Sequence, residues 1–187
     1  MLPMDVLWRP STGIGLEHLK LREENQQIQV DSIVVGSVNG DRIERIKYEI
    51  VLDKSWVTRE VKISNQGDSQ DLRLLSDGNG IWKDEQGHAI SELSGCIDID
   101  ISCTPFTNTL PIKRLSYDLL QPQEIKVVYI SAAELSYRQV NQSYTLLESG
   151  NDSALFRYQS GNFQESITVD SNGIVTVYPD LFYREIF

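Results

Sequence analysis

Two aspartates, Asp98 and Asp100, stand two residues apart in the stretch CIDIDIS (96–102). In an extended chain they share one face, with α-carbons roughly 7 Å apart. From that separation two carboxyl groups could act as acid and base across a glycosidic bond. The opposite face carries isoleucines, so the pattern equally suits a half-buried strand whose aspartates point to solvent. For catalysis the sequence favours this second interpretation, and Asp100 is kept as a candidate acceptor in a binding pocket.

The segment that follows, 102–112, contains no charged side chain, although 24% of the residues in the chain are charged. It contains two prolines and is predicted to be a loop, and its lack of charge indicates that it does not lie in open water. Its hydroxyls, amide and aromatic ring suit the wall of a polar pocket. The candidate ligand-binding residues of this segment are Thr104, Phe106, Thr107 and Asn108.

Two arginines are further candidates for ligand binding. Arg114 could hold a phosphate or carboxylate in bidentate fashion, although a charged residue at a sheet edge would explain it as well. Arg59 shares one face of a predicted strand with Val57, Val61 and Ile63. If Arg59 is buried it needs a partner, because an unpaired buried charge costs several kcal/mol; at a strand end it would instead reach water.

The sequence assigns no catalytic residue, metal or cofactor. The two histidines, His18 and His88, lie far apart, and no motif with metal-ligand spacing exists. There is no phosphate-binding loop, nucleophile elbow or dinucleotide fingerprint. Cys96 and Cys103 are predicted to be reduced thiols rather than a disulfide.

The charge of the chain argues against several partners. With 17 basic and 27 acidic residues, the net charge is −10, which disfavours nucleic acids and anionic bilayer surfaces. No apolar run is long enough to span a membrane, and the amino terminus lacks the pattern of a secretion signal. We therefore expect a cytoplasmic protein without a transmembrane segment.

Alternation of apolar and polar residues indicates β-strands along most of the chain. It is strongest at 46–52, and turn signals occur at Asn39-Gly40, Asp77-Gly78-Asn79-Gly80 and Ser171-Asn172-Gly173. Two further strands are predicted at 112–120 and 125–130, and the apolar segment 178–183 is expected to dock on the body. No amphipathic helix of ten residues is evident.

These patterns predict an all-β protein. We expect a single strongly curved, mostly antiparallel sheet that forms a barrel-like or β-roll structure with little helix. Residues 1–187 are predicted to form one domain, because the chain is too short for two.

Four motifs resemble a bacterial family labelled putative glycolipid-binding. They are CIDIDISCTPFTNTLPIKRL (96–115), YQSGNFQESITVDSNGIVTVYPDLFYR (158–184), WVTR (56–59) and LSDGNGIW (75–82). The resemblance implies a curved, barrel-like antiparallel fold, similar in shape to periplasmic lipoprotein carriers, and a glycolipid-like ligand. Within it Tyr178 becomes a candidate binding residue beside those named above. The signal peptide of such carriers is missing here, which argues against a shuttle in the cell envelope.

Three hypotheses of function follow from the sequence. In the first, the protein is a non-catalytic binder that holds an amphiphilic small molecule inside the curved sheet, with the polar head at 104–114. In the second, it is an enzyme that acts on a small sugar or ester through Asp98 and Asp100, aided by Arg59 or Arg114. In the third, it joins protein partners through an exposed strand edge. The sequence makes no prediction of oligomeric state.

Overall fold

The computed structural model describes residues 3–37, 43–65 and 71–186. In these ranges fourteen strands form one sheet. The strands are β1 (Met4–Pro10), β2 (Gly15–Glu24), β3 (Gln27–Ser37), β4 (Ile43–Asp53), β5 (Thr58–Asn65), β6 (Asp71–Ser76), β7 (Trp82–Lys83), β8 (Asp98–Ile101), β9 (Pro122–Ser131), β10 (Ser136–Ser149), β11 (Ser153–Ser160), β12 (Phe163–Asp170), β13 (Val175–Tyr178) and β14 (Phe182–Glu185). The described helix α1 spans Thr109–Arg114, and 3₁₀ turns lie at Ser91–Leu93 and Phe106–Asn108.

The sheet is two meanders joined at the chain ends. Its spatial order is β7-β6-β5-β4-β3-β2-β1-β14-β13-β12-β11-β10-β9-β8. Neighbouring strands run antiparallel except β8 and β9, which are parallel. The carboxy-terminal β14 pairs with β1, for example Trp8 with Arg184, so the predicted docking of the chain end is confirmed. Two sequential meanders bring residues nearly 180 positions apart into one ladder.

The two ends of the sheet meet without closing it. The amide of Gly95, just before β8, donates to the carbonyl of Gly80, just before β7, at 2.9 Å. The indole of Trp82 donates to the carbonyl of Cys96 at 2.8 Å. A Cβ at residue 80 would lie 2.8 Å from the Gly95 Cα, so glycine is needed at this close approach. The predicted curved, mostly antiparallel sheet is confirmed, as a roll whose end strands do not pair.

The alternation of the sequence sorts side chains as predicted. On β4 the side chains Ile46, Tyr48, Ile50 and Leu52 are fully buried, and the residues between them, polar except for Val51, are more exposed. The turns at 77–80 and 171–173 connect β6 to β7 and β12 to β13, as predicted. The predicted Asn39-Gly40 turn lies outside the described residues.

The interior contains two apolar clusters with the segment 102–114 between them. The larger cluster lies under β1–β9 and includes Trp8, Tyr48 and Trp82. The smaller one, under β10–β13, is aromatic and includes Tyr144, Phe156, Tyr158 and Tyr178. Phe106 and Leu110 are buried in the larger cluster, whereas Ile112 packs against the smaller one. The segment therefore fills the hollow of the curved sheet.

The predicted strand at 112–120 is wrong. The chain is helical from Phe106 to Arg114, and the next strand begins at Pro122. Pro111 lies in the first turn of α1, where its missing N–H removes no hydrogen bond, and its carbonyl accepts from Leu115 N at 3.0 Å. Helical backbone here lets Phe106 and Leu110 be fully buried, which outweighs the strand preference of Ile112. Of the described helices, none is long and apolar enough to cross a bilayer.

Candidate functional site

One cavity lies beside the uncharged segment, between it and the carboxy-terminal strands. Its volume is about 350 Å³, and we call it the aromatic cavity. Asp100, Ser102, Thr104 and Asn108 form one wall. Tyr129 and Arg138 come from β9 and β10. The remaining wall is largely aromatic and consists of Tyr158, Phe163, Tyr178 and Phe182 with Leu181.

Asp100 is the acidic group of the aromatic cavity, and three side chains hold it. Gln142 Nε2 donates to Asp100 Oδ2 at 2.6 Å, while the Tyr158 and Thr107 hydroxyls lie 3.4 Å from its two oxygens. Burial raises the pKa of the Asp100 carboxyl, and the hydrogen bond from Gln142 opposes this shift. The residue is only partly buried. Asp100 is therefore a fixed acceptor that remains partly accessible.

The aromatic wall offers ring faces and hydroxyl tips to a ligand. The ring centroid of Tyr158 lies 6.0 Å from that of Phe163 and 6.2 Å from that of Tyr178, in edge-to-face geometry. Phe163 is 46% exposed. Across the cavity the Arg138 guanidinium stacks 4.7 Å from the centroid of Tyr129. Such rings with polar tips bind molecules that are apolar on one face and hydroxylated at the edge.

A smaller cavity adjoins the aromatic cavity. It has a volume of about 210 Å³ and shares Ser102, Leu181 and Phe182 with its neighbour; we call it the Glu17 cavity. Its rim is apolar and open to solvent, with exposed fractions of 79% for Ile14, 45% for Leu16, 42% for Val35 and 39% for Leu181. Exposed apolar side chains grouped in this way are typical of surfaces that contact another molecule.

Glu17 lies at the floor of this cavity and is almost fully buried. Its Oε1 accepts hydrogen bonds from Ser32 Oγ at 2.8 Å, from Thr104 Oγ1 at 2.9 Å and from the Tyr48 hydroxyl. Its Oε2 has no hydrogen-bond partner among the described residues. Burial raises the pKa of Glu17 from 4.5 to about 7, although the three hydroxyls act in the opposite direction. Glu17 can thus change its charge near neutral pH at the wall of a cavity.

The structure brings together four of the residues predicted from sequence. Asp100, Thr104, Asn108 and Tyr178 all line the aromatic cavity. Asn108 Oδ1 accepts from the Tyr144 hydroxyl at 2.8 Å, which fixes the amide at the wall.

Thr107 lies behind this wall, where its hydroxyl accepts from the amide of Ile101 at 3.3 Å. Phe106 is fully buried in the larger apolar cluster, and the described lining of the cavity does not include it.

The two arginines are held by carboxylates. Arg114 binds Asp98 in bidentate fashion, with Nε–Oδ1 at 3.0 Å and Nη2–Oδ2 at 2.6 Å. Arg59 binds Asp53 Oδ2 at 2.7 Å through Nη2 and donates to the carbonyl of Asp77. Neither arginine lines the aromatic cavity or the Glu17 cavity in the described structure.

The interpretation in which Asp98 points to solvent is wrong. Its side chain has no exposed surface and is bound by Arg114, the last residue of α1. Both carboxylate oxygens are occupied by Arg114, so Asp98 has no free oxygen for a substrate. Among the described residues no three His, Cys, Asp or Glu side chains cluster as metal ligands do.

The sequence reasoning missed Glu17, Gln142, Arg138 and Tyr158. A signal for Glu17 was present, because alternation places it on the same face of β2 as the buried Leu19 and Leu21. A carboxylate on the apolar side of an alternating strand needs polar partners inside the protein. No such signal existed for Gln142, which meets Asp100 only because β8, β9 and β10 are neighbours.

Comparison with known proteins agrees with the fold. The family described as "Putative glycolipid-binding" matches residues 5–184. The chain belongs to this family. The crystal structure of a DUF1089 family protein from Pseudomonas aeruginosa is 33% identical, covers 95% of each chain and superposes with a TM-score of 0.80. No curated protein matches the chain. Family membership extends over both cavities, since their described lining lies within the matched range.

Proposed function

We propose that the protein is a non-catalytic binder of a glycolipid-like amphiphile. The hydroxylated head occupies the aromatic cavity, and the apolar part runs over Leu181 and Phe182 into the Glu17 cavity. The observation that carries the proposal is the sharing of Ser102, Leu181 and Phe182 by a polar, ring-lined cavity and an apolar-rimmed one. The name of the family supports the same ligand class.

Each half of the ligand has matching groups on the protein. Asp100 accepts hydrogen bonds from ligand hydroxyls, the amide nitrogen of Asn108 donates to them, and the exposed Phe163 provides a ring face for a sugar. The apolar rim, formed by Ile14, Leu16 and Val35, covers an alkyl chain. Removal of this apolar surface from water contributes a favourable free energy of roughly 25 cal/mol per Å² buried. The two cavities have volumes of about 350 and 210 Å³. Their combined volume lies within the range of roughly 300–1,000 Å³ typical of small-molecule sites.

Catalysis by the paired aspartates is not favoured, because Asp98 is bound on both oxygens by Arg114. An interaction through sheet edges is not favoured either, because the end strands β7 and β8 are only two and four residues long. The cytoplasm is the proposed compartment, on the ground that Cys96 and Cys103 are both buried free thiols.

The proposal is tested with n-octyl glucoside below its critical micelle concentration. Isothermal titration should show saturable binding of one molecule per chain, while glucose and octanol alone bind more weakly. The variant Phe163→Ala should weaken binding roughly tenfold, which is the order expected from loss of an aromatic contact. Leu119→Ala is the matched control, since Leu119 is 56% exposed and lies away from both cavities.

Native mass spectrometry of protein purified from cells gives an independent reading. We expect an adduct of lipid mass that Phe163→Ala reduces and Leu119→Ala retains. Absence of that adduct, together with no saturable binding of octyl glucoside, would contradict the proposal.

A further inference from the structure

A third cavity lies away from both of those described above. It has a volume of about 280 Å³, and we call it the Trp56 cavity. Its floor is apolar and is made by Met4, Leu21, Ile28 and Ile174. The rest of its lining is Trp56, Lys54, Lys113, Glu23 and Asn172. The described lining shares no residue with the aromatic or Glu17 cavity. It is a separate place on the protein, with different chemistry.

Trp56 reaches this cavity from a strained backbone. Its φ is +64°, in the left-handed region that a bulky side chain rarely adopts. The turn is held by Asp53, whose Oδ1 accepts from the amides of Ser55 and Val57 at 2.8 and 3.1 Å. Arg59 fixes the other oxygen of that carboxylate at 2.7 Å. Backbone strain of this kind, imposed by surrounding structure, recurs where a side chain must be presented to a ligand.

Lys113 is held over the Trp56 ring. Its ammonium lies 5.5 Å from the ring centroid, and its stem passes Gly173 so closely that a Cβ there would lie 2.8 Å from Lys113 Cδ. Of the carboxylates that the structure describes, none lies within 4.0 Å of this ammonium. In a chain of net charge −10, a lysine held by an aromatic ring and not by an acid keeps its ammonium group available to an external anion.

The second cation of the cavity lining is Lys54. Its only carboxylate contact in the described structure is Glu23 at 4.0 Å, and both side chains are more than half exposed. Such a pair contributes little, so an incoming anion can displace it. The cavity thus combines an apolar floor with two ammonium groups and the weakly held carboxylate of Glu23.

We propose that the Trp56 cavity binds a short single-chain amphiphile with an anionic head. The carboxylate or phosphate lies between Lys54 and Lys113, and the alkyl chain lies on Met4, Leu21 and Ile28. The cavity is slightly below the range of roughly 300–1,000 Å³ for drug-sized ligands, which favours a short chain. Arg59 is a positioning residue for this site, acting on Trp56 through Asp53.

The test uses sodium decanoate and decyl phosphate as probes of the full chain, with neutral decanol for comparison. Trp8 and Trp82 are buried, with exposed fractions of 0% and 1%, so Trp56 is the tryptophan best placed to report ligand by fluorescence. We expect saturable binding of one or both anions and at least roughly tenfold weaker binding of decanol, as expected for loss of charge-assisted contacts. Decanoate alone would assign a carboxylate head, and decyl phosphate alone a phosphate head.

The variant Lys54→Ala/Lys113→Ala should weaken binding of the anions roughly tenfold or more and leave decanol unchanged. The control Lys83→Ala/Lys126→Ala removes the same charge from exposed positions outside the cavity and should bind as the parent does. Trp56→Phe should abolish the fluorescence change while calorimetry still detects binding. Octyl glucoside binding should be the same in all three variants, which separates this site from the aromatic cavity.

Affinity for both anions no higher than that for decanol would overturn the proposal, as would anion binding that the two lysine pairs affect alike. Absence of saturable anion binding to the parent protein would also overturn it, whatever the outcome with octyl glucoside.

Discussion

Replacement of Glu17 by glutamine should change the pH dependence of stability. The free carboxyl has a pKa of 4.5, which burial raises to about 7 in the folded protein. The folded state therefore binds the proton more tightly, and the free energy of unfolding falls as pH rises through this window. At about 1.36 kcal/mol per pKa unit, the loss is about 3 kcal/mol between the fully protonated and fully ionised states.

Glutamine is neutral at every pH and keeps an oxygen for Ser32, Tyr48 and Thr104. Glu17→Gln should therefore be stabilised relative to the parent by about 2–3 kcal/mol more at pH 8 than at pH 5. The amide also leaves a buried donor without an acceptor, which costs about 1–3 kcal/mol at any pH. For this reason the decisive quantity is how the difference in unfolding free energy between Glu17→Gln and the parent changes with pH, and not the size of that difference at one pH.

Urea denaturation at pH 5, 6, 7 and 8, followed by tryptophan fluorescence, measures this difference. Glu24→Gln is the matched control, because Glu24 lies at the exposed end of the same strand. If the parent and Glu17→Gln give parallel curves of unfolding free energy against pH, Glu17 titrates as an exposed carboxyl and the reasoning is refuted.

Three further predictions concern single side chains. Arg114→Leu should lower the free energy of unfolding by about 3–5 kcal/mol, because it leaves the buried Asp98 carboxylate unpaired. The double variant Asp98→Leu/Arg114→Leu should recover most of this stability. A loss below about 1 kcal/mol in the single variant would contradict the role of the pair. Gly36→Ala should destabilise by about 1–3 kcal/mol, since its Cβ would lie 2.8 Å from Gly15 Cα and Ile14 O; a thermal melt equal to that of the parent would contradict this. Burial raises the pKa of Cys96 to about 11 and that of Cys103 well above its ordinary value, so neither thiol should react with Ellman's reagent at pH 8 until urea unfolds the protein.

The fold was largely predictable because its signals are local. On β4 the two-residue alternation from Ile46 to Leu52 sorts side chains to the two faces of a strand whatever the rest of the chain does. The glycines at 78, 80 and 173 all adopt positive φ in turns, a conformation that glycine adopts without steric cost. The helix at 109–114 was not predictable in this way, because six residues carry too little periodicity.

The site was predicted only in part. The absence of charge from 102–112 correctly indicated that this segment is covered by protein, and Thr104 and Asn108 line a cavity beside it. The same reasoning could not separate Phe106, which lies in the core, from its neighbours. It also could not foresee that Arg59 and Arg114 are held by Asp53 and Asp98, because neither pairing follows from spacing along the chain.

The sequence by itself determined that the chain forms strands, where several of its turns lie and which segment is enclosed, since each depends on residues close together in the chain. Only the tertiary structure decided which side chains meet. Glu17 joins Thr104 across 87 positions, and Asp100 joins Gln142 across 42. The physical reason is that burial and hydrogen bonding at a cavity depend on which strands become neighbours, and β1 and β14 pair only when the whole sheet has curved round its interior.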